Sequence, residues 1–304
     1  MNKIPVGQTI GHAYSFAFKN FFSIVGLIWF PFAILAAGTA AMSMISVDFP
    51  RAIFSSDTAA MGHIWYMIVP FYVFATVLSC VLIVAITQYA LGLRAPSYFY
   101  FSLGKPVWRL FAAFVLVFLL IIAIVAVVAI GALLVGMAIA AATGITPGSK
   151  PTGGTAVMLG FGAIITFAVL YCGFIYLLVR QIFFLTPVVV AENRIGLGRA
   201  WKLGRGNFWR MFLILLAIIL PIGAVEAAVL FGFIMHGLLP TAAQGATHEQ
   251  IAAWSAQNVA YMKQYWFVLV PCYFAFLAII YGLLCGAQAF AYRALVPDET
   301  EGSI

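Results

Sequence analysis

Six uninterrupted apolar runs, at roughly 21–46, 65–91, 107–142, 155–190, 209–238 and 265–291, decide what this chain can become. Each reaches the roughly 20 residues that carry a helix, at 1.5 Å per residue, across about 30 Å of hydrocarbon. They are continuously apolar, without the alternation of a strand that faces lipid on one side only, and this disfavours a membrane barrel. Composition agrees, because only 8% of the 304 residues are charged and 65% are hydrophobic, where a soluble domain has about 25% charged residues. A soluble fold of this size could not hide so much apolar side chain from water. The expected fold is therefore all-α, a polytopic membrane protein with six transmembrane helices. The third and fourth runs are longer than one straight crossing, so they extend beyond the hydrocarbon, tilt or break, with Gly131, Gly136 and Pro187 as places for a bend.

The charges between the runs give an orientation. Lys3, Lys19, Arg94, Lys105, Arg109, Arg180, Arg194, Arg199, Lys202, Arg205, Arg210 and Arg293 fall on one side of a six-span arrangement, and Arg51, Lys150 and Lys263 on the other. Positive residues in short connections stay cytoplasmic, so both termini are expected inside. The two lysines before the first run resemble the start of a signal peptide, but no clean cleavage pattern closes it and an uncleaved first span is expected. The connections on the far side, 46–63, 143–154 and 240–265, are polar, and the last has room for a short helix capped by Thr247 with Gln250 three residues on. The tail PDETEGSI is expected to be solvated. Basic residues strung between apolar runs, instead of gathered on one soluble face, argue against nucleic acid as a partner.

The chain also repeats itself. AYSFAFKNFFSIVGLIWFP at 13–31 aligns with AWKLGRGNFWRMFLILLAIILP at 200–221, matching Ala13 with Ala200 and Asn20 with Asn207. FYFSLGKPVWRLFAAF at 99–114 shares the aromatic and basic step, Trp108–Arg109 matching Trp209–Arg210. The returning spans echo each other in VPFYVFATVLSC at 69–80 and VPCYFAFLAIIY at 270–281, each ending near a glutamine, Gln88 or Gln288, with Gln181 as the counterpart in the fourth span. The unit is a short amphipathic segment on the inner face, a span out, a loop and a span back. A single membrane domain of three parallel hairpin units follows, with bounds 1–94, 95–191 and 192–304.

In the third unit, Arg199, Lys202 and Arg205 alternate with Ala200, Trp201 and Leu203. That pattern fits a segment at headgroup level whose cations meet anionic phosphates, with Trp201 and Trp209 in the interfacial aromatic belt. The candidate lipid contacts are Arg199, Lys202, Arg205, Arg210, Trp201 and Trp209, and the expected partner is anionic membrane lipid. A membrane-protein partner or a second copy of the chain is the other candidate.

The stretch TPVVVAENRIGLGRAWKLGRGNFWRMF, 186–212, resembles the signature of the bacterial family described as glycerophosphoryl diester phosphodiesterase membrane domain and its multi-spanning relatives. There an apolar run with a following Glu leads through a loop to an Ala-Trp and an Asn-Phe-Trp-Arg step. Pro187 to Val190, Glu192, Ala200, Trp201, Leu203, Gly206, Asn207, Phe208, Trp209 and Arg210 occupy those positions. The resemblance implies a bacterial cytoplasmic membrane and this helical fold. It does not imply phosphodiesterase activity, which in that family belongs to a separate soluble barrel with acidic metal ligands and histidines that this chain has no room for.

The residues offer little chemistry. No zinc-protease helix, paired cysteines, nucleophile elbow or phosphate loop is present, so no catalytic residue, metal or cofactor is assigned. His12, His63, His236 and His248 are scattered, and Cys80, Cys172, Cys272 and Cys285 lie within apolar runs as expected of buried reduced thiols. Glu226 is the exception, a carboxylate inside the fifth span shortly after Pro221 and Gly223, where an ionised group normally faces protein or water. Glu226 and Gln288 are the candidate polar site within the membrane. The expected function is a non-enzymatic structural, anchoring or lipid-interacting membrane protein, the alternative a permease or channel for a small solute, ion or lipid.

Overall fold

The computed structural model describes residues 3–45, 58–95, 98–143, 154–235 and 248–296. They form eight helices: α1 (Val6–Lys19), α2 (Phe21–Ile45), α3 (Thr58–Ala90), α4 (Lys105–Thr143), α5 (Gly154–Glu192), α6 (Leu197–Gly204), α7 (Phe208–Met235) and α8 (His248–Leu295). No strand occurs among the described residues. Six helices are long and apolar enough to cross a bilayer, over Phe21–Thr39, Trp65–Ala90, Lys105–Ala138, Ile164–Glu192, Phe208–Gly232 and Gln264–Leu295. The protein is an all-α, multi-pass membrane protein.

The long third and fourth runs do not break. Each is one continuous helix of 39 residues. Pro187 lies close to the end of α5, where its missing N–H removes a single bond to the carbonyl of Phe183. The short helix expected in 240–265 is instead the opening of α8, which runs for 48 residues, with no Gly or Pro between Glu249 and Val270 and with Pro271 held inside the helix. Thr247, Arg51, Lys150, His236 and the tail from 297 onward lie outside the described residues, as do the side chains of His63, His248, Glu249 and Lys263.

Packing is concentrated at the end of the bundle that carries the twelve cations named above, here the basic end. Leu78 to Ile86 on α3, Val179 to Val190 on α5 and Ala278 to Tyr292 on α8 supply much of the buried core, joined by Ile4, Ala13 and Ala17. The opposite halves are bare: Phe118 and Leu119 of α4, Phe161 and Phe167 of α5, and Val229 and Phe231 of α7 all stand exposed. An apolar sequence alone cannot separate these cases, since lipid and protein interior both accept it. Phe183, Phe184, Leu185, Val188 and Val189 are almost wholly enclosed by protein, whereas the outer turns of the same helix face outward.

The two short lead-in helices build this base. Helix α1 runs antiparallel along the end of α8: His12 stacks on Phe290 at 4.1 Å between ring centres, and further along Ala17 meets Gly282 while Phe16 meets Gly286. A Cβ on Gly282 would come within 2.9 Å of Ile24, and one on Gly286 within 2.9 Å of Phe16. Small residues there allow the close backbone approach on which helix association in lipid depends. Helix α6 folds back along the last turns of α5, its leading Gly196 against Val188 and its final Gly204 against Arg180. Both short helices thus run beside a span, each burying a face of small residues, Thr9, Ala13 and Ala17 in one and Ala200 and Gly204 in the other. The second unit has no such helix. Tyr98 to Gly104 are non-helical and lie against α2, where the Trp29 indole donates to the Tyr98 carbonyl at 2.7 Å and Phe30 meets Phe101 edge to face.

Cysteine placement departs from expectation. Cys80 and Cys285 are buried, but Cys172 and Cys272 are exposed on the sides of their helices, on apolar surface that lipid covers in a multi-pass protein.

Candidate functional site

The basic end carries a set of polar side chains that bond to one another or to main-chain groups. Its carboxylate is Glu192, the last residue of α5. Glu192 accepts from Arg194 Nε at 2.8 Å, from Arg199 Nε at 3.1 Å and from the Tyr292 hydroxyl at 3.2 Å, tying α5 and α6 to the end of α8. The next residue, Asn193, has φ of 51°, a left-handed conformation that Asn tolerates and that ends helices. Gly92 fills the same role after α3, with φ of 66°. Each turn is gripped by an arginine from elsewhere: Arg109 donates to the carbonyl and side chain of Asn193, and Arg293 to the carbonyl of Leu91.

The repeat alignment has a structural counterpart in two asparagines. Asn20 and Asn207 both sit between a lead-in helix and its span, and the main-chain carbonyl of each accepts the first bond of that span, from Ile24 at 2.9 Å and Met211 at 3.0 Å. Each side-chain oxygen accepts from a distant element. Asn20 takes the Tyr89 hydroxyl at 2.7 Å, and Asn207 takes the backbone N–H of Ile4 at 3.3 Å. Arg210 completes the hold on Ile4 by donating to its carbonyl at 2.8 Å.

The six candidate lipid contacts therefore divide. Arg199, itself exposed, pairs with Glu192, and the part-buried Arg210 donates to the Ile4 carbonyl. Lys202 and Arg205 are exposed, and Trp209 is 70% exposed at the start of α7. Trp201 is half-buried under Arg180, whose guanidinium carbon lies 3.7 Å from the ring centre. Arg180 also donates to Tyr176 and has no carboxylate partner among the described residues.

Glu226 and Gln288 are not brought together. Glu226 is 18 residues after Phe208, about 27 Å along α7 at 1.5 Å per residue, in the last third of the span Phe208–Gly232. It is exposed on the outside of the bundle, with no hydrogen bond or ion pair among the described residues. Gln288 is half-buried near the opposite end of the molecule, two turns before α8 stops. Gln181 is the glutamine with a defined task, donating to the Leu197 carbonyl at 3.1 Å where α6 begins.

Three of these features escaped the sequence reading: the Glu192 hub, the left-handed Asn193 and the Arg180 stack. The Glu-Asn pair closing a long apolar run was a signal for the first two. Nothing in the sequence marks Arg180 as facing Trp201, 21 positions later. Among the described residues no group of His, Cys, Asp or Glu is placed to hold a metal. No family model matches the chain, and no curated protein or solved structure does either.

Proposed function

We propose that this protein is a non-catalytic component of a bacterial cytoplasmic membrane, with its basic end and both termini on the cytoplasmic side, anchoring or organising at that face through anionic lipid. The observation that carries the reading is how the polar side chains of the base are used. Asn207 and Arg210 hold Ile4, Gln181 holds Leu197, Arg109 and Arg293 hold turn carbonyls, and Glu192 gathers two arginines and a tyrosine. These groups brace a scaffold, and the cations left over point outward. Lys202 and Arg205 are exposed beside Trp209, an arrangement suited to a negatively charged headgroup layer. The resemblance of 186–212 to the glycerophosphoryl diester phosphodiesterase membrane domain supports the same placement. The test is partition of the purified chain into liposomes with and without phosphatidylglycerol. Association should favour the anionic vesicles and weaken with salt, and Lys202→Gln/Arg205→Gln should reduce that preference. Equal association of the double variant with both vesicle types and of the parent with both would refute the reading.

A further inference from the structure

At the level where the base meets the spans, α4, α5 and α6 enclose a half-open cleft of about 340 Å³, walled by Val117, Leu120 and Ile124 of α4, Leu177 of α5, and Leu197 and Trp201 of α6. Its volume is at the lower end of sites that take small organic molecules. Its walls are almost wholly apolar, and Leu120 of the wall is 49% exposed. The indole of Trp201 lines it and carries the Arg180 guanidinium on its ring at 3.7 Å, with Tyr176 beside both at 6.2 Å from the indole. Arg180 is a cation fixed by stacking and by one phenol, without a carboxylate among the described residues, and its Nε is buried with no partner. A fixed cation without a carboxylate among the described residues, stacked on an indole that lines an apolar cleft between transmembrane helices, complements one kind of molecule: an amphiphile with a negative head and a hydrocarbon tail.

We propose that the cleft holds one anionic phospholipid, an acyl chain lying between α4 and α5 and the phosphate against Arg180. This rests on the reading that the basic end faces an anionic headgroup layer, and it adds a single stoichiometric site distinct from the exposed Lys202 and Arg205. The indole face strengthens the hold on the cation, and the guanidinium keeps donors free for phosphate oxygens, which it meets in a fork geometry that lysine lacks.

The experiment is native mass spectrometry of the purified chain after exposure to an equimolar mixture of phosphatidylglycerol and phosphatidylcholine with matched chains. One phosphatidylglycerol should be retained per chain, several-fold over phosphatidylcholine. Arg180→Gln should bring the two lipids close to equal retention. Leu120→Trp fills the cleft from a position that is already 49% exposed and should remove at least half of all retained lipid, while Leu213→Trp, equally exposed on α7, should remove none. The proposal is overturned if the parent retains both lipids equally, if Arg180→Gln and Leu120→Trp leave retention unchanged, or if the cleft is closed by a second copy in a lipid-free dimer. Lys202→Gln/Arg205→Gln separates the two readings. Loss of vesicle preference without loss of the retained lipid supports both, and unchanged vesicle preference with lipid lost in the Arg180 and Leu120 variants leaves the site standing and removes the belt.

Discussion

Asn207 accepts a hydrogen bond from the backbone N–H of Ile4, 203 residues earlier in the chain, and Ile4 is fully buried. With Arg210 on the Ile4 carbonyl, both polar groups of one peptide position are satisfied by the turn that opens α7. Ile4, just before α1, is thereby fastened to the start of α7. Asn207→Ala leaves a buried N–H without a partner, a loss of about 1–3 kcal/mol. Thermal unfolding in detergent should show the drop, and Asn207→Asp, which keeps the acceptor, should recover part of it.

Glu192 joins three elements from a position that is still partly solvated, with Arg194 at 62% and Arg199 at 41% side-chain exposure. Solvent screening limits such pairs to about 1 kcal/mol or less. Glu192→Gln should cost no more than that, and its stability should respond less to added salt than the parent's. A variant as salt-sensitive as the parent would place the salt-dependent charges elsewhere.

Gly282 and Gly286 let α1 and the start of α2 lie directly on α8. Gly286→Val drives side-chain carbons into Phe16, and overpacking of this kind costs about 1–3 kcal/mol. Gly131→Val meets nothing within 4 Å and should unfold like the parent. The pair measures how much of the stability resides in the α1–α8 seam.

Glu226→Gln should change stability by no more than about 0.5 kcal/mol, as for an exposed surface substitution, because no described group pairs with the carboxylate. If the chain is a permease that uses Glu226, the same preparation reconstituted in vesicles will lose a pH-coupled flux while melting normally. Flux and melting measured together distinguish the anchoring reading from the transport one.

Orientation is accessible by labelling a cysteine-free background with an impermeant thiol reagent. Cysteines at Ser56 and Ser149 should react from outside in intact cells, and one at Lys202 only after permeabilisation. Reaction at position 202 in intact cells would invert the proposed topology.

The spans were legible because hydropathy over twenty residues reports burial in any apolar medium. That same indifference hid the base: Phe183 to Val190 reads as lipid-facing helix, and its enclosure among α3, α4, α6 and α8 depends on pairings no local pattern encodes. Asn20 and Asn207 were legible as matched positions, since a repeated junction needs a repeated cap. Their partners, Tyr89 and Ile4, were not, because a side-chain oxygen can accept from any donor that folding delivers. The partners of Arg199 and Arg210, Glu192 and Ile4, were hidden for a related reason, as sequence gives a charge but not its nearest neighbour.

The seam between α1 and α8 has a consequence for the order of assembly. Its two halves are made at opposite ends of synthesis, so α1 emerges with its Ala13 and Ala17 face uncovered and keeps it so until the last span has been threaded. With the proposed orientation, the nascent chain then carries an unpaired helix at the ribosomal side of the membrane for that interval. Closure of the base then reports that every intervening span has been inserted, so a chain that skips one would leave α1 and the end of α8 on opposite sides and fail to lock.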